Sequence, residues 1–159
     1  LRRELAQARK RKGEVAAIMD EAARKADERS VDLLAGIPGV GRATAATLVA
    51  RIGSIARFES ADALKGYLGL YPRRVQSGKH EAPARMATHG CKVVRHMIWN
   101  CAKVAARFNP ECKALFDRLK AKGKHAAACY GAVARKLIHL VYGVLKHRRP
   151  FTSSVVVTA

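Results

Sequence analysis

The sequence predicts an all-α domain, and three observations carry that reading. Apolar residues recur at helical spacing through most of the chain. Alanine recurs constantly while aromatics make up only 6% of residues, a balance that suits packed helices better than sheets. All five prolines fall at the borders of periodic segments and not inside them. With 159 residues, 49% of them hydrophobic, the chain can bury one core and carry one helical appendage, and it is not disordered over its whole length.

Residues 1–29 contain one Gly and no Pro, and place Leu5, Ala8, Val15, Ile18, Met19, Ala22 and Ala26 near helical spacing. They read as one long, weakly amphipathic arm whose thin apolar stripe needs a partner helix in the same chain or a second copy. Ser30 reads as the cap of a short helix from Val31 to about Gly36. Ile37-Pro-Gly-Val-Gly41 is a tight turn, and Arg42 to Ile52 a second helix closed by Gly53, so residues 31–53 form a helix-hairpin-helix pattern. Ser60 caps Ala61 to about Leu68, with Ala63, Leu64, Tyr67 and Leu68 on one face.

From Tyr71 to Pro83 the periodicity stops, which predicts a polar, basic loop; the functional loop is taken as 71–89. A helical bundle follows over 90–148. Its first stripe is Val93, Val94, Met97, Ile98, Cys101, Val104, Ala105 and Phe108. Asn109-Pro110 supplies a cap with Pro at the first helical position, and Gly123 a stop. The last helix, His125 to His147, turns Tyr130, Val133, Ala134, Leu137, Ile138, Val141 and Leu145 inward. Residues 152–159 are a tail.

Thirty-one Lys and Arg against 12 Asp and Glu give a net charge of +19, which points to a polyanionic partner. The excess is uneven. Residues 70–107 carry +7 and residues 108–159 carry +8, so the second half is the expected phosphate-binding half, although a solvated surface would show the same composition. Cys91, Cys101, Cys112 and Cys129 are far apart with no C-x-x-C pair, so they read as reduced thiols, three of them in helical patterns, and no metal ligand set is assigned. No apolar run reaches the eighteen or so residues of a membrane span and no signal-peptide pattern opens the chain, so the expected location is the cytosol, with no membrane contact.

Two segments could carry chemistry. In the hairpin, Gly39 and Gly41 let the backbone turn sharply and aim the amides at the start of the next helix toward a phosphate, with Arg42 and Thr44 as side-chain donors. The same residues would equally make a compact corner with Ile37 and Val40 in the core. In the loop, Ser77 precedes Gly78 among Arg73, Arg74, Lys79 and His80, with Arg85, Lys92 and Arg95 downstream. A serine that attacks phosphorus needs its proton removed and the phosphate charge neutralised, and these cations meet the second need. A Ser-Gly pair is also an ordinary turn.

Taken in order, Leu34-Ala-Gly-Ile-Pro-Gly-Val-Gly41, Gly66-Tyr-Leu-Gly-Leu-Tyr-Pro72, Gln76-Ser-Gly78, Gly90 followed by Arg95, and Ala134-Arg-Lys136 resemble the C-terminal domain of the DEDD-type insertion-sequence transposases, the IS-one-ten and IS-eleven-eleven group. The resemblance spans roughly Ser30 to Phe151. It implies a serine nucleophile at Ser77 that links covalently to DNA during strand exchange. It implies DNA and a guide (bridge) RNA as partners, and residues 1–29 as the end of a coiled-coil segment through which the protein forms homo-oligomers. It also implies a RuvC-like N-terminal half whose four acidic residues bind a divalent metal, Mg; no cofactor is expected in residues 1–159 themselves. No acidic, strand-like segment precedes the domain, so the chain is expected to be a C-terminal piece that binds nucleic acid without recombining it. Ala84-Arg-Met-Ala-Thr-His89 departs from the Lys-containing approach to Gly90 usual in that group. The alternatives from other classes are a noncatalytic helix-hairpin-helix DNA-binding module and a ribosome-associated structural protein, the second of which leaves the Gln76-Ser77-Gly78 landmark without a role.

Overall fold

The computed structural model describes Gln7, residues 27–71, the backbone course at 72–73, 76–77, 80–81 and 85–86, and residues 90–153. The arm expected over 1–29 lies outside these residues except for Gln7 and 27–29, as does the tail from 154 onward. Six helices carry the described fold: α1 (Glu28–Ala35), α2 (Arg42–Ile52), α3 (Ala61–Leu68), α4 (Lys92–Phe108), α5 (Pro110–Ala121) and α6 (Ala126–His147). A 3-10 turn at Ile55–Arg57 precedes α3, and four two-residue strands lie between α3 and α4. The all-α expectation therefore holds for the body of the domain.

Helix α6 is the hub. Its 22 residues, about 33 Å of helix, pack against α1, α3, α4, α5 and the 3-10 turn. Val133, Ala134, Leu137, Ile138, Val141, Val144 and Leu145 are buried on it. Tyr142 fixes its far end, with its hydroxyl 3.0 Å from the Glu59 carbonyl oxygen and 3.2 Å from that of Phe58. Lys136 meets Glu111 of α5 at 2.7 Å, and the Glu111 side chain is only 10% exposed. The Ala134-Arg-Lys136 landmark is thus a packing residue and an ion-pair residue that seat α6 on α5. Beside that pair, burial pushes the Cys112 thiol up to about 11, so it stays protonated at neutral pH.

Most boundaries fall where capping chemistry put them. Ser60 Oγ accepts from the Ala63 amide at 3.1 Å. Helix α3 ends with Gly69 left-handed at φ 73°, where the Leu70 amide reaches back to the Lys65 carbonyl, the Schellman arrangement. Helix α1 is the exception: it starts at Glu28 and not Val31. Ser30 does not cap it, because its hydroxyl donates to Asp27 Oδ2 at 2.7 Å while the Val31 amide bonds the Asp27 carbonyl one helical turn back.

The α1–α2 corner docks on α4 through two features. Gly39 has φ 101°, and a Cβ there would lie 2.7–2.8 Å from atoms of Ala105, so only glycine permits this approach. Asn109, between α4 and α5, is fully buried and is the only buried polar side chain among the described residues. Its Oδ1 accepts from the Glu111 and Cys112 amides at 3.1 and 3.2 Å, and its Nδ2 donates to the Pro38 carbonyl at 3.4 Å. One carboxamide therefore caps α5 and ties it to the hairpin. The inner face of α4 is correspondingly small: Cys101, Ala102, Ala105 and Ala106 are buried with Val94 and Ile98. The expected α4 stripe was too wide, since Val93, Val104 and Phe108 are 51%, 46% and 70% exposed.

Asn109→Ala would remove the cap and leave the part-buried Pro38 carbonyl without its Asn109 donor, and should cost about 2–4 kcal/mol. Gly39→Ala should cost about 3 kcal/mol through the clash and the positive φ. Urea denaturation checks both; a loss below about 1 kcal/mol at either position would show the corner to be looser than this packing requires.

Candidate functional site

The segment expected to be a loop is a paired ribbon. Strand β1 (Pro72–Arg73) runs antiparallel to β4 (Arg85–Met86), with Pro72 opposite Met86 and Arg73 opposite Arg85. Further out, β2 (Gln76–Ser77) pairs with β3 (His80–Glu81), with Gln76 opposite Glu81 and Ser77 opposite His80. Two residues separate β1 from β2 and three separate β3 from β4, and those five lie outside the described residues. Sequence reasoning missed the pairing because the ribbon has few apolar residues, so no alternation of polarity marks it.

The base of the ribbon is clasped by two glycines. Gly90 has φ 90°, and a Cβ there would fall 2.7 Å from the Leu68 carbonyl oxygen and 2.9 Å from the Gly69 nitrogen. The outgoing and returning chains therefore meet backbone to backbone, just beyond the buried Leu68 and Leu70. Ser77 lies in the outermost register pair, five residues beyond Pro72. Arg73 and Arg85 occupy opposite positions in the inner ladder, and like charges placed so disfavour pairing unless an anion lies nearby. Arg74 and Lys79 lie outside the described residues.

The residues of the α1–α2 corner are differently placed. Gly39 is committed to Ala105. Gly41 is exposed with open space where a Cβ would be, and no side chain caps the first turn of α2. Arg42 is held by Asp32 and lies 3.5 Å from Glu28, so its charge is already answered. Thr44 faces inward, where its Oγ1 accepts from the Cys101 thiol at 3.7 Å. Ile37 and Val40 are buried, as a corner requires. Lys92 opens α4 and is exposed, whereas Arg95 is half-buried on another side of that helix and has a partner of its own. The exposed face beside Lys92 holds His96, Lys103 and Arg107, which the reading of local motifs passed over; their spacing of four, seven and four residues was the available signal.

The family described as "Transposase IS116/IS110/IS902 family" matches residues 31–117, from α1 into α5. The chain belongs to this family. Among its relatives, the pilin gene-inverting protein of Moraxella bovis is 33% identical over 126 residues, covering 77% of this chain and 39% of that protein. An uncharacterized 42 kDa protein of insertion element IS900 from Mycobacterium paratuberculosis is 26% identical over 135 residues, 84% of this chain and 33% of that one. A 43.6 kDa protein of insertion element IS110 from Streptomyces coelicolor is 27% identical over 114 residues, 72% of this chain and 28% of that one. This transposase-family chain thus spans well under half the length of each. Its matched region holds both the α1–α2 corner and the whole ribbon. No helix among the described residues is long and apolar enough to cross a membrane.

If the glycine clasp sets the ribbon, Gly90→Ala should splay its base while leaving the helical core folded. The expected result is faster proteolysis within 72–86 with little change in helical circular dichroism. Cleavage at the wild-type rate would show that the clasp does not hold the ribbon.

Proposed function

We propose that this chain is the nucleic-acid-binding, nucleophile-bearing C-terminal portion of an insertion-sequence transposase that acts in DNA transposition, with Ser77 as the nucleophile. The observation that carries the reading is the register of Ser77, at the outer end of a ribbon clasped to a rigid helical body, inside the region the family covers. In the proposed step the Ser77 hydroxyl loses its proton, its oxygen bonds to a DNA phosphorus, and a deoxyribose oxygen departs and takes up a proton. Arg73, Arg74, Lys79, Arg85 and Lys92 offset the charge that gathers on the phosphoryl oxygens.

The distribution of acids supports the same reading. Asp32, Asp62, Glu111 and Asp117 are each paired with a basic side chain in the helical body. Between residues 70 and 107 one acid stands against eight cations. The corner residues Gly41 and Arg42 contribute less, because Arg42 already has two carboxylates. Residues 1–29 are proposed as the end of a dimerising helical segment, and a guide RNA is proposed beside DNA as a partner, in the cytoplasm at the nucleoid. A divalent metal belongs, in this reading, to an acidic N-terminal half of the whole protein, so residues 1–159 alone bind nucleic acid without recombining it.

Binding of the chain to nucleic acid should weaken by about 10³-fold or more between roughly 50 and 200 mM salt, as several phosphate contacts require; a constant that hardly moves in a salt titration would remove the phosphate-dominated interface. In the full-length parent, with metal and guide supplied, Ser77→Ala should abolish strand exchange and the covalent protein–DNA adduct while leaving DNA affinity within about twofold. Detection of the adduct on denaturing gels in the Ser77→Ala protein would make Ser77 a turn residue and the domain a noncatalytic binding module.

A further inference from the structure

Helix α4 has two faces, and only one is explained by the core. Opposite Val94, Ile98, Cys101 and Ala105 lie Lys92, His96, Asn100, Lys103 and Arg107, all exposed. At about 100° per residue these five fall within an arc of about 80° and follow the helix axis for about 22 Å. No Asp or Glu occurs anywhere in α4. Among the described residues no ion pair engages Lys92, Lys103 or Arg107, and the acids of the neighbouring helix α5 are occupied by Lys136 and Lys113. Asn100 Nδ2 lies 3.2 Å from His96 Nε2, which sets two polar groups in the middle of the row.

Beside this row, on one side only, are the exposed apolar residues Val93, Val104 and Phe108. Phe108 is the most exposed of them at 70%, and it takes part in none of the ring or cation contacts of the described aromatic residues. An open ring flanking a straight cation row is poorly used by a duplex, whose base faces are stacked away and whose backbone curves off a straight helix. An unpaired strand suits it, with phosphates along the cations and a base face against the ring.

We propose that the exposed face of α4 is a track for an unpaired nucleic-acid strand, with Lys92, Lys103 and Arg107 on its phosphates and Phe108 stacking on a base. The proposal rests on the nucleic-acid-binding reading above and adds to it the strandedness of the ligand and a second contact region. Because α4 starts two residues after Gly90, the track begins at the base of the ribbon that carries Ser77. A strand opened at the ribbon has a place to lie while the other is handled there.

The test uses the whole 159-residue chain and labelled oligothymidylate, oligouridylate and a mixed-sequence DNA duplex, read by fluorescence anisotropy across salt. The Lys103→Gln/Arg107→Gln variant should lower the magnitude of the single-strand salt slope by about 1.4, at about 0.7 per charge. Phe108→Leu, which keeps apolar bulk and loses the ring, should weaken single-strand binding about tenfold and duplex binding less than twofold, and Phe108→Tyr should bind as the wild type does. The two single-stranded probes tell whether DNA or RNA fits better. Single-strand affinities of both α4 variants within twofold of wild type would overturn the track, as would equal losses on single strand and duplex, or a dimer by sedimentation that Phe108→Leu dissolves. If Arg73→Gln/Arg85→Gln weakens binding where the α4 variants do not, the track falls and the nucleic-acid reading stands; a wild-type chain that binds none of the probes sinks both.

Discussion

The buried amide of Asn109 is the constraint on which the rest of this fold hangs. A carboxamide with no access to water must satisfy its donors and its acceptor inside the protein, and here it does so across a gap of 71 residues, from the start of α5 to the Pro38 carbonyl. Holding Pro38 there brings Gly39 against Ala105, and the contact leaves no room for a branched side chain on the inner face of α4 at that point. The face is therefore built of Ala and Cys, the hairpin sits close, and α6 can lie across both. Val104 and Phe108 lie on the outer side of α4, while Val94 and Ile98 stay inside nearer its start.

Much of the helical body was legible in the sequence because local chemistry dictates it. Ser60, Asn109 and His125 cap where their side chains can reach the amides of the next turn, and Gly53, Gly69 and Gly123 stop helices with positive φ. Three readings failed for physical reasons. Ser30 looked like a cap, but Asp27, three residues earlier, competes for its hydroxyl. Phe108 and Val104 looked like core, because a period of 3.6 residues shows which side a residue lies on and not how close a neighbouring helix comes. The ribbon over 72–86 was invisible, because pairing of polar residues through backbone bonds leaves no pattern of polarity. In the candidate site, the position of Ser77 came from sequence landmarks, whereas its register partner His80 and the clasp beneath it came only from the fold.

The family likeness and the charge distribution bear on different parts of the molecule. The family match ends in α5, yet more than half of the late positive charge lies beyond the ribbon and α4. In the helical body some cations are matched: Arg42 with Asp32 and Glu28, Lys65 with Asp62, and Lys113 with Asp117. The hydrogen bond from Lys65 and its charge hold the Asp62 carboxyl below its usual range, and His139 lies 3.4 Å away. Some of these acids join helices and others sit within one, and α4 is left with cations and no carboxylate of its own.

The meeting of Gly90 with Leu68 and Gly69 separates two kinds of sequence change. Because the ribbon is fastened by main chain to main chain, what lies between the two anchors is not needed to close it, and lengthening a closed segment is cheap, about 0.6 kcal/mol for each doubling. Selection can therefore alter the reach and chemistry of the outer ribbon while the helical body stays as it is. The same attachment limits the reverse: no substitution within the ribbon can compensate for a side chain at either anchor. The reach of the outer ribbon and the stability of the helical body are thereby set by different residues.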